Sequence, residues 1–89
     1  MKIRDFLSVL QPQDITECGR SYYWWDGKAI CPIATAADKH QYPGEKLPWD
    51  IGPVSQHFEI PEKVLDLFAS EWDHTLNFEK ALKYAESAE

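Results

Sequence analysis

The segment Ser21-Tyr22-Tyr23-Trp24-Trp25-Asp26-Gly27-Lys28-Ala29-Ile30-Cys31 runs four aromatics straight into Asp-Gly and then into a second apolar run. Asp-Gly between two β-prone segments predicts a hairpin closed by a type I′ turn, because that turn needs φ > 0 at both central residues. A two-residue loop at Asp26-Gly27 opposes Trp25 to Lys28, Trp24 to Ala29, Tyr23 to Ile30 and Tyr22 to Cys31. Directly opposed residues share a face, and faces alternate along each strand. Tyr22, Trp24, Ala29 and Cys31 therefore share a face without charge, which is assigned to the core. Tyr23, Trp25, Ile30 and Lys28 share the other. That face is either a recognition surface, since amphipathic aromatics concentrate at binding hot spots, or a second half of the core under a helix or loop. We take Tyr23 and Trp25 as outward-facing.

Outward from the hairpin, Ile3, Phe6, Leu7 and Leu10 have the spacing of a short amphipathic helix, limited by Pro12. Ile15 to Cys18 reads as a strand lead-in, with Gly19-Arg20 as a bend or bulge. Pro32 stops the second strand, and Ala34 to Lys39 allows one poorly capped helical turn. Between His40 and Pro53 the breakers Pro43, Gly44, Pro48, Gly52 and Pro53 exclude a long helix or a central strand. Tyr42, Leu47, Trp49 and Ile51 imply that this loop packs down, either over the hairpin or with Trp49 offered to a partner. Phe58-Glu59-Ile60 is read as a short extended piece. Pro61 then opens a helix over 61–72, with Val64, Leu65, Phe68 and Trp72 as its apolar stripe. Asn77 is the expected N-cap of a last helix reaching Ala88, joined to the first by His74-Thr75-Leu76.

At 89 residues the chain fits a single domain, 1–89, with a thin core to which its 13% of aromatic residues contribute most. A net charge of −6 argues against nucleic-acid or membrane binding and for a partner with a basic surface. No apolar run approaches the ~18 residues of a membrane span, and the charged start Met1-Lys2-Ile3-Arg4-Asp5 is unlike a signal peptide. A soluble, cytoplasmic protein with reduced cysteines is expected, Cys18 and Cys31 lying too far apart along the strand to bridge.

His40, His57 and His74 are equally spaced, and each precedes a Glu-Lys pair. The first copy contains Pro43, Gly44 and Pro48 whereas the other two read as helical, so the copies are not one structural unit and the spacing is taken as coincidence. The close ligand pairs of a structural zinc site are missing, as are phosphate loops and nucleophile motifs. No metal, no cofactor and no enzyme activity are expected. A helix-turn-helix outline at the C-terminus has Glu79, Glu86 and Glu89 on its second helix, the wrong sign for a DNA groove.

The predicted fold is a small α+β domain: an N-terminal helix, an antiparallel hairpin with a third strand allowed, and two C-terminal helices packed on the sheet. In size, charge and aromatic content the chain resembles the small acidic inhibitors, immunity proteins and phage-encoded inhibitors of bacterial defence. That likeness implies an inhibitor or modulator of a basic, nucleic-acid-handling protein. The candidate contact residues are Tyr23, Trp25, Asp26, Lys28, Trp49, Asp50 and Glu71. A self-associating module and a small thiol or metal-dependent enzyme are the alternatives.

Overall fold

Asp26 and Gly27 take φ of 54° and 77°, the left-handed pair a type I′ turn demands. The turn joins β1 (Trp24–Trp25) to β2 (Lys28–Ala29), antiparallel, with Trp24 opposite Ala29 and Trp25 opposite Lys28. Ile30 extends the pairing by donating its N–H to the Tyr23 carbonyl at 3.0 Å. The register is the expected one. The computed structural model describes residues 1–15 and 23–89. The expected strand lead-in beyond Ile15, the Gly19-Arg20 bend, the face of Tyr22 and the position of Cys18 lie outside the described residues. Among the described residues the sheet has two strands.

Among the described residues five α-helices make up most of the remainder. The first, α1 (Ile3–Leu7), buries Ile3, Phe6 and Leu7, and a 3-10 turn follows at Pro12–Asp14. The second, α2 (Pro32–Lys39), is twice the length of the single turn anticipated. Pro32 does stop the strand, but it also serves as the first helical residue, where its fixed φ and missing N–H cost nothing. Cys31 precedes it as an extended N-cap whose side chain does not cap the helix, and its carbonyl accepts the Thr35 N–H at 2.8 Å. Ile33, Ala34, Ala36 and Ala37 are buried, so tertiary packing supplies what the weak cap does not.

A second correction concerns α3 (Gly52–Phe58). The breakers Gly52 and Pro53 open a helix rather than only ending a loop, and Phe58 belongs to that helix instead of an extended piece. The longest helix, α4, covers Glu62–Thr75, so Pro61 is its N-cap and His74-Thr75 its last turn rather than a connector. The last, α5 (Phe78–Glu86), begins as anticipated, with the Asn77 side chain accepting the Lys80 N–H at 3.0 Å. Gln41, Glu59 and Leu76 end α2, α3 and α4 in the left-handed region, at φ of 61°, 55° and 54°. After α2, Tyr42 N–H reaches the Ala37 carbonyl and Gln41 N–H the Asp38 carbonyl; Ile60 and Glu59 repeat the pattern on Ser55 and Gln56. These are Schellman closures, usually built on glycine.

α4 and α5 pack along one another, with Phe78 edge-on to Phe68 at 5.5 Å and to Trp72 at 6.4 Å. α1 lies against α2 and α5, α3 against α4, and α2 against β2. The result is a small α+β domain, as read from the sequence. Its hairpin meets α2 through β2 and α4 through Tyr23, whose hydroxyl lies 3.5 Å from Asp66 Oδ1. Trp24 is wholly buried and stacks on Tyr42 at 6.2 Å. Trp24→Ala is expected to cost about 3–5 kcal/mol in chemical denaturation. A loss below about 1 kcal/mol would show that this indole does not organise the core.

Charge fastens the periphery. Arg4 Nε and Nη2 donate to Glu86 Oε2 and Oε1 at 2.9 and 2.8 Å, and Nη1 lies 3.4 Å from Glu79 Oε1, tying α1 to α5. Lys39 Nζ approaches Asp14 Oδ2 at 2.6 Å and ties α2 to the 3-10 turn. The Arg4 hydrogen bond holds Glu86 below the usual carboxylate range, and that of Lys39 does the same for Asp14. A carboxylate depressed in the folded state contributes stability above its unfolded pKa and loses it as pH falls through the folded one. Stability should therefore fall below about pH 4.5, and Glu86→Gln should flatten part of that fall in urea midpoints measured from neutral pH to pH 3.

Candidate interaction site

Strand parity sends Trp25 out where it sends Trp24 in, and Trp25 is 57% exposed. The loop that returns past the hairpin is held to it by Tyr23 N–H donating to the Pro48 carbonyl at 2.6 Å. That bond brings Trp49, 69% exposed, to the same place, and Trp25, Asp26, Pro48 and Trp49 line one shallow depression. The loop itself packs down through Tyr42 and Ile51, both buried. The Tyr42 ring lies on Gly44, leaving no room there for a side chain, and its hydroxyl donates to the Glu45 carbonyl at 3.1 Å. Asp50 follows Trp49, and its Oδ1 accepts the Gly52 N–H at 2.9 Å. Lys28 stands across the ladder from Trp25 and is exposed. Five of the sequence-predicted residues thus fall on or beside one surface.

Two do not. Tyr23 was expected outward with Trp25, but it is 9% exposed. The far end of the ribbon's second face is covered where Tyr23 meets α4, whereas Trp25, next to the turn, is exposed. Burial, then Asp66, Cys31 and Asp73, pushes the Tyr23 phenol well above the usual tyrosine range. Glu71 was expected among the contact residues; it is half-buried. At 100° per residue it lies about 140° round α4 from Asp66, the residue that touches the hairpin. Glu71 therefore belongs to the opposite flank.

In its place stand acids outside the predicted contact set. Glu62, Asp66 and Asp73 fall within about 40° of one another on α4. Glu62 also reaches the loop: a Cβ built on Gly52 would lie 3.0 Å from Asp50 Oδ1 and 3.9 Å from Glu62 Oε2. Asp73 is raised by partial burial. The ion pairs of the described residues engage Arg4, Lys39 and Lys46, and none includes Asp26, Asp50, Glu62, Asp66 or Asp73. Helical spacing was the available signal, but only contact with Tyr23 and Gly52 shows which flank faces the tryptophans.

The evenly spaced histidines occupy unlike settings. His40 follows α2, stacks on Phe6 at 5.4 Å and places Nε2 2.9 Å from the Phe6 carbonyl. His57 lies in α3, edge-on to Tyr42 and Phe58, and His74 lies in the last turn of α4. Among the described residues no group of three or more His, Cys, Asp or Glu is arranged to hold a metal ion. No helix among them is long and apolar enough to cross a membrane. No protein-family model, curated protein or solved structure matches this chain at a significant level.

Tyr23 supplies a check on the covered face. A tyrosine whose folded pKa is raised contributes stability that is complete below the unfolded value and is lost as pH climbs above about 10. Wild-type stability should fall over that alkaline range and Tyr23→Phe should reduce the fall. Identical alkaline curves for the two proteins would mean that Tyr23 is solvated.

Proposed function

We propose that this chain is a small acidic protein–protein interaction module, which docks through Trp25 and Trp49 on a basic partner and inhibits or modulates a nucleic-acid-handling protein. The observation that carries the reading is the pairing of two exposed indoles, 57% and 69% accessible, in one depression. A large aromatic surface kept in water is a solubility liability, and its presence in one patch is the usual mark of an interface. The tryptophans supply the area that is desolvated on binding. The carboxylates around them steer a positive surface toward the patch and disfavour neutral or acidic competitors. A net charge of −6 has the same sign and weighs against two copies meeting through this face.

The test is affinity capture from a cell lysate with wild-type protein and with Trp25→Ala/Trp49→Ala, at about 0.05 M and about 0.5 M salt. The expected result is a partner that is retained at low salt, weakened at high salt and lost by the double variant. A partner held equally by both proteins would sink the assignment. So would a stable dimer in light scattering that dissociates when the two tryptophans are replaced.

A further inference from the structure

We infer that the Trp25–Trp49 depression takes an arginine side chain from a basic segment of the protein partner, with further cations of that segment lying along Glu62, Asp66 and Asp73. The inference rests on the interaction reading above and adds the residue type that is recognised.

Three observations converge on it. First, the patch is made of indoles, whose faces attract cations more strongly than those of other aromatic side chains. A planar, weakly hydrated guanidinium stacks on such a face, whereas a lysine ammonium keeps its water. Second, a carboxylate lies in the depression at Asp26 and another beside it at Asp50, and neither enters an ion pair among the described residues. Among the described residues the paired cations are Arg4 with Glu79 and Glu86, Lys39 with Asp14, and Lys46 with Asp38.

Third, the acids continue in a line. Asp50 and Glu62 both border Gly52, which carries the acidic surface from the loop onto α4. From there Glu62 to Asp66 is a rise of ~6 Å along the helix axis, and Asp66 to Asp73 one of ~10 Å. A basic segment laid along α4 meets these carboxylates through long, flexible side chains rather than by matched spacing. Lys28 stands across the ladder from Trp25 and opposes the incoming charge.

The test uses the whole protein and two labelled probes, an oligo-arginine and an oligo-lysine peptide of equal length, with binding read by fluorescence anisotropy at low salt. The arginine peptide should bind about tenfold tighter than the lysine peptide. Trp25→Leu/Trp49→Leu should abolish that preference while leaving the lysine peptide's weaker binding in place, a thermal melt confirming that the variant is folded. Asp66→Asn should weaken both peptides, and Lys28→Gln should tighten both by about two- to threefold. Equal affinity for the two peptides, or a preference that survives loss of both tryptophans, overturns the inference. If the preference is missing but the tryptophans are still needed to capture the cellular partner, the arginine site is wrong and the interaction reading stands. If the partner is retained without the tryptophans, that reading itself fails.

Discussion

The sign of φ at two adjacent residues governs this molecule. Asp26 and Gly27 both lie in the left-handed region, so the hairpin closes in two residues. A two-residue closure sets the register, and the register sets which indole goes inside. A slip of one residue would exchange Trp24 for Trp25, burying the exposed ring and exposing the one on which Tyr42 stacks. Tyr42 is in turn placed by the closure at the end of α2, where its N–H returns to the Ala37 carbonyl. Hairpin, helix end and the following loop are therefore one interlocked unit rather than three neighbours.

The fold tolerates several local costs to keep that arrangement. Gln41, Glu59 and Leu76 end helices in a conformation that glycine enters without penalty and other residues do not. The indole N–H groups of Trp24 and Trp72 are buried without a hydrogen-bond partner. An unsatisfied buried donor of this kind costs about 1–3 kcal/mol, so both rings are retained for the area they cover. The salt bridge from Arg4 to α5 is solvent-exposed and contributes modestly beside such burial. Apolar packing dominates, and the charged side chains arrange themselves around it.

That arrangement is uneven in a useful way. Among the described residues the paired cations engage Glu79, Glu86, Asp14 and Asp38, while the acids that border the patch enter no ion pair. Two exposed indoles within a negative field form a surface with both desolvation area and a preferred sign of charge, and the proposed function and the arginine site follow from that combination.

How much of this was readable beforehand follows the range of the forces involved. The hairpin and its register were legible because Asp-Gly settles them within a few residues; so were α4, by its apolar period, and α5, by Asn77 as cap. Trp25, Asp26 and Trp49 were legible as candidate contacts because large aromatics beside turn residues and breakers are conspicuous in a short chain. The full length of α2 and the existence of α3 were not, because proline and glycine read as breakers until neighbouring elements bury Ile33, Ala36 and Val54 and make helix the cheaper conformation. Tyr23 and Trp25 share a strand face and a chemistry, and nothing local tells them apart. Glu71 and Asp66 likewise share a helix and a charge. Which of each pair meets solvent beside the patch depended on where α4 crosses the ribbon, a contact between residues more than forty positions apart.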